Sequence, residues 1–78
     1  MPTVLRIGGY RFHFYSNEGI EPPHIHVRHA DGECKFWLEP IVLAKNRGLS
    51  PQQLRQIEQL VYANQRHFLE KFNEFHNN

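Results

Sequence analysis

The sequence predicts a single α+β domain over residues 1–78: a small antiparallel sheet of four to five strands with one long C-terminal helix packed on one face. Three observations predict it. The first part of the chain alternates apolar and polar residues, the period of a half-buried strand. Two hairpin signals, Gly8-Gly9 and Asp31-Gly32, punctuate that part. After Ser50-Pro51 the apolar period lengthens to that of a helix and holds almost to the C-terminus. The 78 residues allow one domain, and a domain of this size buries only about 60% of its unfolded surface. With 40% apolar and 13% aromatic residues, the chain can fill one thin core.

Each element follows from local chemistry. Thr3–Ile7, with Val4, Leu5 and Ile7, favours a short strand. Gly8-Gly9 supplies the positive φ that a tight hairpin needs. In Tyr10–Tyr15, alternation sets Tyr10, Phe12 and Phe14 on a core face and Arg11, His13 and Tyr15 on the other. Ser16–Pro23 reads as a loop, because Pro22 and Pro23 lack amide hydrogens and cannot lie inside a central strand. His24–His29 is the next strand, with His24, His26 and Arg28 on one face and Ile25, Val27 and His29 on the other. A two-residue Asp31-Gly32 turn would pair Val27 with Phe36, Ile25 with Leu38, His26 with Trp37 and His24 with Glu39. It would also set Arg28 against Lys35, an unfavourable like-charge pair. Cys34 joins Phe36 and Leu38 as a small buried hydrophobe.

Pro40 ends that strand or marks a bulge, Ile41–Ala44 is expected to be a further strand in the core, and Lys45–Gly48 a loop. Ser50 is a good N-cap, Pro51 suits the first helical position and Leu49 can staple the turn. The helical stripe then runs Leu54, Ile57, Val61, Phe68, Phe72 and Phe75, interrupted at Asn64. An unbroken helix from Pro51 to His76 would be almost 40 Å long at about 1.5 Å per residue, against a radius of gyration of about 11–12 Å for a compact chain of this length. The last turns therefore either overhang the sheet and seek a partner through Phe68, Phe72 and Phe75, or the helix bends near Asn64.

Composition weighs against several function classes. The formal net charge is only +1, so no strong basic field draws in nucleic acid. A single cysteine, Cys34, can form neither an internal disulfide nor a paired-cysteine zinc site. No run reaches the roughly 18 apolar residues of a membrane span, and Met1–Arg6 lacks the basic start and apolar run of a signal peptide. The default expectation is a soluble cytoplasmic protein without a membrane partner.

The chemistry concentrates in Glu18–His29, which holds three of the six histidines. His24 and His26 project from one strand face roughly 6.5–7 Å apart, a workable start for a zinc or similar divalent metal site. A tetrahedral metal needs at least three protein ligands; His13, on the same face of the preceding strand, is the expected third, with Glu18, Glu21 or Glu39 as carboxylates. The bland reading is a half-exposed sheet face on which His24 bonds to Glu39 and His26 packs on Trp37. A histidine-triad hydrolase is excluded, because the third alternate position is Arg28. A nucleic-acid surface would use Arg11, Arg28, Lys35 and Trp37 with Tyr15 and the histidines as stacking partners, and Glu33 and Glu39 dilute it.

Taken in order, Met1-Pro2-Thr3, Tyr15–Gly19, Glu21-Pro22-Pro23-His24-Ile25-His26-Val27, Phe36-Trp37-Leu38 and a C-terminal helix resemble the bacterial domain-of-unknown-function family 4160. Where members of that family end in Trp-Asn-Glu-Tyr, this chain has Phe72-Asn73-Glu74-Phe75. The resemblance implies a small bacterial cytoplasmic protein, encoded beside or fused to another small domain in an arrangement similar to toxin–antitoxin pairs. It gives weight to Glu18, Pro22, Pro23, His24 and His26 and carries no established reaction.

Two functional readings follow. The first is a non-enzymatic binding module, antitoxin-like or regulatory, that meets another small protein or a second copy of itself. Its contact surface is the open face around His13, His24, His26, Trp37 and Glu39, or the phenylalanine-bearing helix end; no cofactor is involved. The alternative is a metal-dependent hydrolase or nuclease in which His24, His26 and His13 hold the metal and Glu18 or Glu21 is the general base.

Overall fold

A computed structural model describes residues 3–16 and 18–76. Five strands form one antiparallel sheet in chain order: β1 (Thr3–Ile7), β2 (Tyr10–His13), β3 (His24–His29), β4 (Gly32–Leu38) and β5 (Ile41–Arg47). Two helices follow, α1 (Pro51–Ala63) and α2 (Gln65–His76), and pack on one face of the sheet. The radius of gyration is 11.5 Å.

The first hairpin forms as its glycines dictate, with Gly8 and Gly9 both at positive φ between β1 and β2. The second does not turn at Asp31-Gly32. His29 pairs with Gly32, so Ala30 and Asp31 make the turn and Ala30 takes φ 51°. The register shifts by two residues and every side chain keeps its face. His24 now faces Trp37 rather than Glu39, His26 faces Lys35 rather than Trp37, and Arg28 faces Glu33 rather than Lys35. Two physical gains explain the shift. The like-charge pair is replaced by an ion pair, with Arg28 Nη1 3.0 Å from Glu33 Oε1. Gly32 is used for packing instead: a Cβ there would lie 2.6 Å from Leu49 Cδ2.

β5 departs from expectation in place and length. It is an edge strand that includes Lys45, Asn46 and Arg47, and only Ile41 is buried; Val42 and Leu43 are exposed. A bulge opposite Lys35 and Phe36 absorbs one extra residue, Ala44.

One long helix is corrected to two. Asn64 ends α1 and starts α2. Its backbone N–H and side-chain Nδ2 both donate to the Leu60 carbonyl, at 3.1 and 2.8 Å, and its own carbonyl accepts from the Phe68 amide at 2.9 Å. Gln65 Nε2 then donates to the Leu38 carbonyl at 2.7 Å, tying the break to the sheet. α2 thus lies against β3 and β4 instead of overhanging. Phe68 and Phe72 are buried, with ring centroids 5.1 Å from Phe12 and 5.6 Å from Phe14 respectively. The expected helix-end contact surface therefore shrinks to Phe75. At the start of α1, Ser50 and Gln53 form a reciprocal capping box.

Candidate metal centre

The face opposite the helices is not open. His13 and His24 are fully buried and His26 is 7% exposed. The cover is the 18–23 segment, which folds back over the start of β3, and Tyr15, whose ring stands edge-on to His13 and His26. The loop seats on the end of α2: a Cβ at Gly19 would lie 3.0 Å from His76 Cβ.

That loop delivers Glu18. Its Oε1 lies 2.7 Å from His24 Nε2 and 2.7 Å from His26 Nε2. Alternation in β3 puts both rings on one face, and the proline pair starts the strand so that His24 leads it. Pro23 continues the ladder by accepting from the Leu38 amide at 3.0 Å. The far nitrogens are answered separately. His24 Nδ1 lies 3.0 Å from the Pro22 carbonyl, and His26 Nδ1 faces Glu33 Oε2 at 3.5 Å. Glu33 is held by the Tyr15 hydroxyl at 2.7 Å and by Arg28.

These contacts constrain the protons. A carbonyl oxygen only accepts, so His24 donates from Nδ1 and its neutral ring turns a lone pair toward Glu18. If His26 donates toward Glu33, its Nε2 does the same. Two lone pairs and a carboxylate oxygen then converge within hydrogen-bond distance, an arrangement that needs a shared cation. Extra protons on the rings can supply it. A metal ion can supply it too, and the donor set suits one: two imidazole Nε2 atoms and one carboxylate, each ring's Nδ1 held by an oxygen acceptor behind it. Glu18, His24 and His26 offer ligand atoms all within 4.8 Å of one another.

The electrostatics favour a neutral His26. Burial lowers the His26 pKa from its ordinary value, against the opposing pull of Glu18. Burial pushes the Glu18 carboxyl up, but the hydrogen bonds and charge that His24 and His26 supply when their Nε2 atoms carry protons outweigh it, and its net shift is downward. The cluster thus presents a carboxylate to a His26 ring that resists protonation.

The other expected site residues fall in different places. His13 is in the polar cluster but outside the converging trio. It stacks on His26 at 5.6 Å, neither of its ring nitrogens has a hydrogen-bond partner, and burial lowers its pKa to about 4. Trp37 borders His24 at a ring-centroid distance of 5.8 Å and carries Lys35 Nζ 4.5 Å above its ring. Glu39 is exposed in the β4–β5 turn, away from His24, as the corrected register requires. Glu21 pairs with Lys35 at 2.6 Å and sits 3.8 Å from His24 Nδ1, behind the ring. Sequence reasoning did not assign Glu33 or Tyr15 to the site. Alternation puts Glu33 on the histidine face, but only the true register sets it behind His26. Phe72 and His76 reach the site from α2, with Phe72 5.3 Å from the His24 ring; no local signal in the sequence shows this.

No curated protein and no solved structure matches the chain. The domain of unknown function DUF4160 matches residues 9–73, and the chain belongs to that family.

Proposed function

We propose that the protein is a small metal-binding module in which Glu18, His24 and His26 hold one divalent transition metal. The observation that carries this reading is the convergence of two histidine Nε2 atoms on one Glu18 oxygen, 2.7 Å from each, with both Nδ1 atoms turned to oxygen acceptors. The metal would tie the 18–23 segment to β3, since Glu18 is the only donor of the trio outside the strand. Zinc and ferrous iron both accept two imidazoles and a carboxylate.

The alternative made from sequence, a metal-dependent hydrolase, gains support from the size of the donor set. Three protein ligands leave a coordination position for water, as in catalytic zinc sites. Glu18 then serves as a ligand and not as the base. Glu21 is badly placed for that role, because it lies on the Nδ1 side of His24. A module that presents its histidine rings to a protein partner has less support, because the rings are buried. A neighbouring small protein would meet the metal-locked loop instead.

Metal analysis of untagged protein tests the proposal, with thermal melting of the metal-free chain in zinc, manganese, nickel and ferrous salts. The expected result is one metal per chain and a raised Tm, both lost in Glu18→Gln. Metal-free protein whose Tm ignores all four ions would end the proposal.

A further inference from the structure

A cleft of about 640 Å³ opens on the sheet face beside His26, on the side away from Glu18. Tyr15, His26, Glu33, Lys35, Lys45 and Arg47 line it. Its volume lies in the roughly 300–1,000 Å³ range of small-molecule sites.

Two rows of the sheet set its charge. In one, His26 faces Lys35 and Lys35 faces Lys45, so two ammonium-bearing side chains stand directly opposite each other. Such a pair is destabilising unless something answers it. Glu21 answers Lys35 at 2.6 Å. Lys45 has no ion pair among the described residues. In the next row Glu33 stands between Arg28 and Arg47, at 3.0 and 3.8 Å. One carboxylate is thus divided between two guanidiniums and the Tyr15 hydroxyl. The cleft walls carry three cationic side chains against one acid, and a concave wall focuses that field.

We propose that this cleft binds a small phosphate-bearing anion, with Arg47 and Lys45 as its phosphate contacts. Arg47 is held only loosely by Glu33 and is free to offer its fork to a phosphate; Lys45 supplies a mobile point charge. The Tyr15 ring borders the cleft and gives a planar group on the same ligand a surface to rest on. The anion would answer Lys45, which faces the Glu21-paired Lys35 across the sheet. The site does not require the metal.

Titration of the metal-free full chain with inorganic phosphate and with adenosine monophosphate, followed by amide NMR shifts, tests it. Saturable shifts confined to the amides around Tyr15, Glu33, Lys35, Lys45 and Arg47 are expected at millimolar ligand. Lys45→Ala and Arg47→Ala should each weaken binding roughly 10-fold, as loss of one charged hydrogen bond implies. Both residues are exposed on an edge strand, so the remaining spectrum should be unchanged and will report any misfolding. Tighter binding of adenosine monophosphate than of phosphate would assign a role to Tyr15, and equal binding would restrict the site to the phosphate group. Absence of saturable shifts, or shifts indifferent to both substitutions, would overturn the proposal whether or not the protein binds metal.

Discussion

Single residues decide the chemistry of the candidate centre. Glu33 stands behind His26 and does not touch the ion that Glu18 would share; its part is to favour the Nδ1–H form of the ring. Loss of such a partner lowers metal affinity by roughly 10–100-fold. Glu33→Gln should therefore bind zinc that much more weakly by calorimetry, while Glu18→Gln should lose stoichiometric binding. Equal zinc affinity in Glu33→Gln and wild type would remove Glu33 from the site. Ala30 offers a test without function. A non-glycine residue in the left-handed region carries a cost of about 1–2 kcal/mol, and glycine at this turn offsets it against a smaller loss of unfolded-chain entropy. Ala30→Gly should raise stability by about 0.5–1 kcal/mol in urea unfolding; a fall would show that the turn does not need positive φ. The trio itself was half legible in the sequence. His24 and His26 announce themselves by alternation, and Glu18 stood out through the family resemblance and as a candidate base, but its role as the third ligand did not, because its place depends on how a proline-bearing loop folds back.

At the scale of elements, Asn64, the turn after β3 and the extent of β5 carry the departures from expectation. Asn64 was visible as a gap in the apolar stripe, but a gap does not tell a bend from an overhang. The outcome follows from the area α2 buries when it returns to the sheet with Phe68 and Phe72. Phe68→Ala should cost about 3–5 kcal/mol, as a buried phenylalanine does, measured by the shift in urea midpoint. A cost within about 0.5 kcal/mol, the level of an exposed site, would return Phe68 to the surface. The hairpin register misled for a related reason. Asp31-Gly32 has a strong local preference for the turn, and a distant side chain overrides it: Leu49 occupies the space above Gly32. Non-local packing of this kind leaves no trace in a two-residue motif. The bounds of β1 and β3, the face alternation and the N-cap at Ser50 were readable, since each rests on neighbours in sequence, whereas β2 stops at His13 and β5 runs on to Arg47.

For the whole molecule, the histidine face forms a second buried layer, polar where the helix side is apolar. Among the described residues no helix is long and apolar enough to cross a membrane. A buried neutral histidine links that layer to pH. His13 falls from 6.5 in the open chain to about 4 in the fold because burial disfavours its cation. Between those values the unfolded chain binds the extra proton, so stability is complete above the unfolded pKa and declines as pH falls through the window. The loss should reach about 3 kcal/mol by pH 4 for His13, and the downward shift of His26 adds in the same direction. Urea unfolding of the metal-free chain at stepped pH checks this; a stability flat from neutral pH to pH 4 would contradict the burial of these rings. Metal would act on the same ensemble. A ligand at 100 times its Kd stabilises by about 2.7 kcal/mol, which in a domain of this size raises Tm by more than about 10 °C.

The most direct test of the proposed metal centre is the tautomer of its two histidines. Long-range proton–nitrogen NMR of the side chains, on metal-free protein and again after one equivalent of zinc, reads every ring nitrogen separately. With zinc bound, His24 and His26 should both carry their proton on Nδ1 and show metal-shifted Nε2 resonances, while His13 stays unchanged and neutral. Rings that keep a proton on Nε2, or spectra that ignore zinc, would contradict the account.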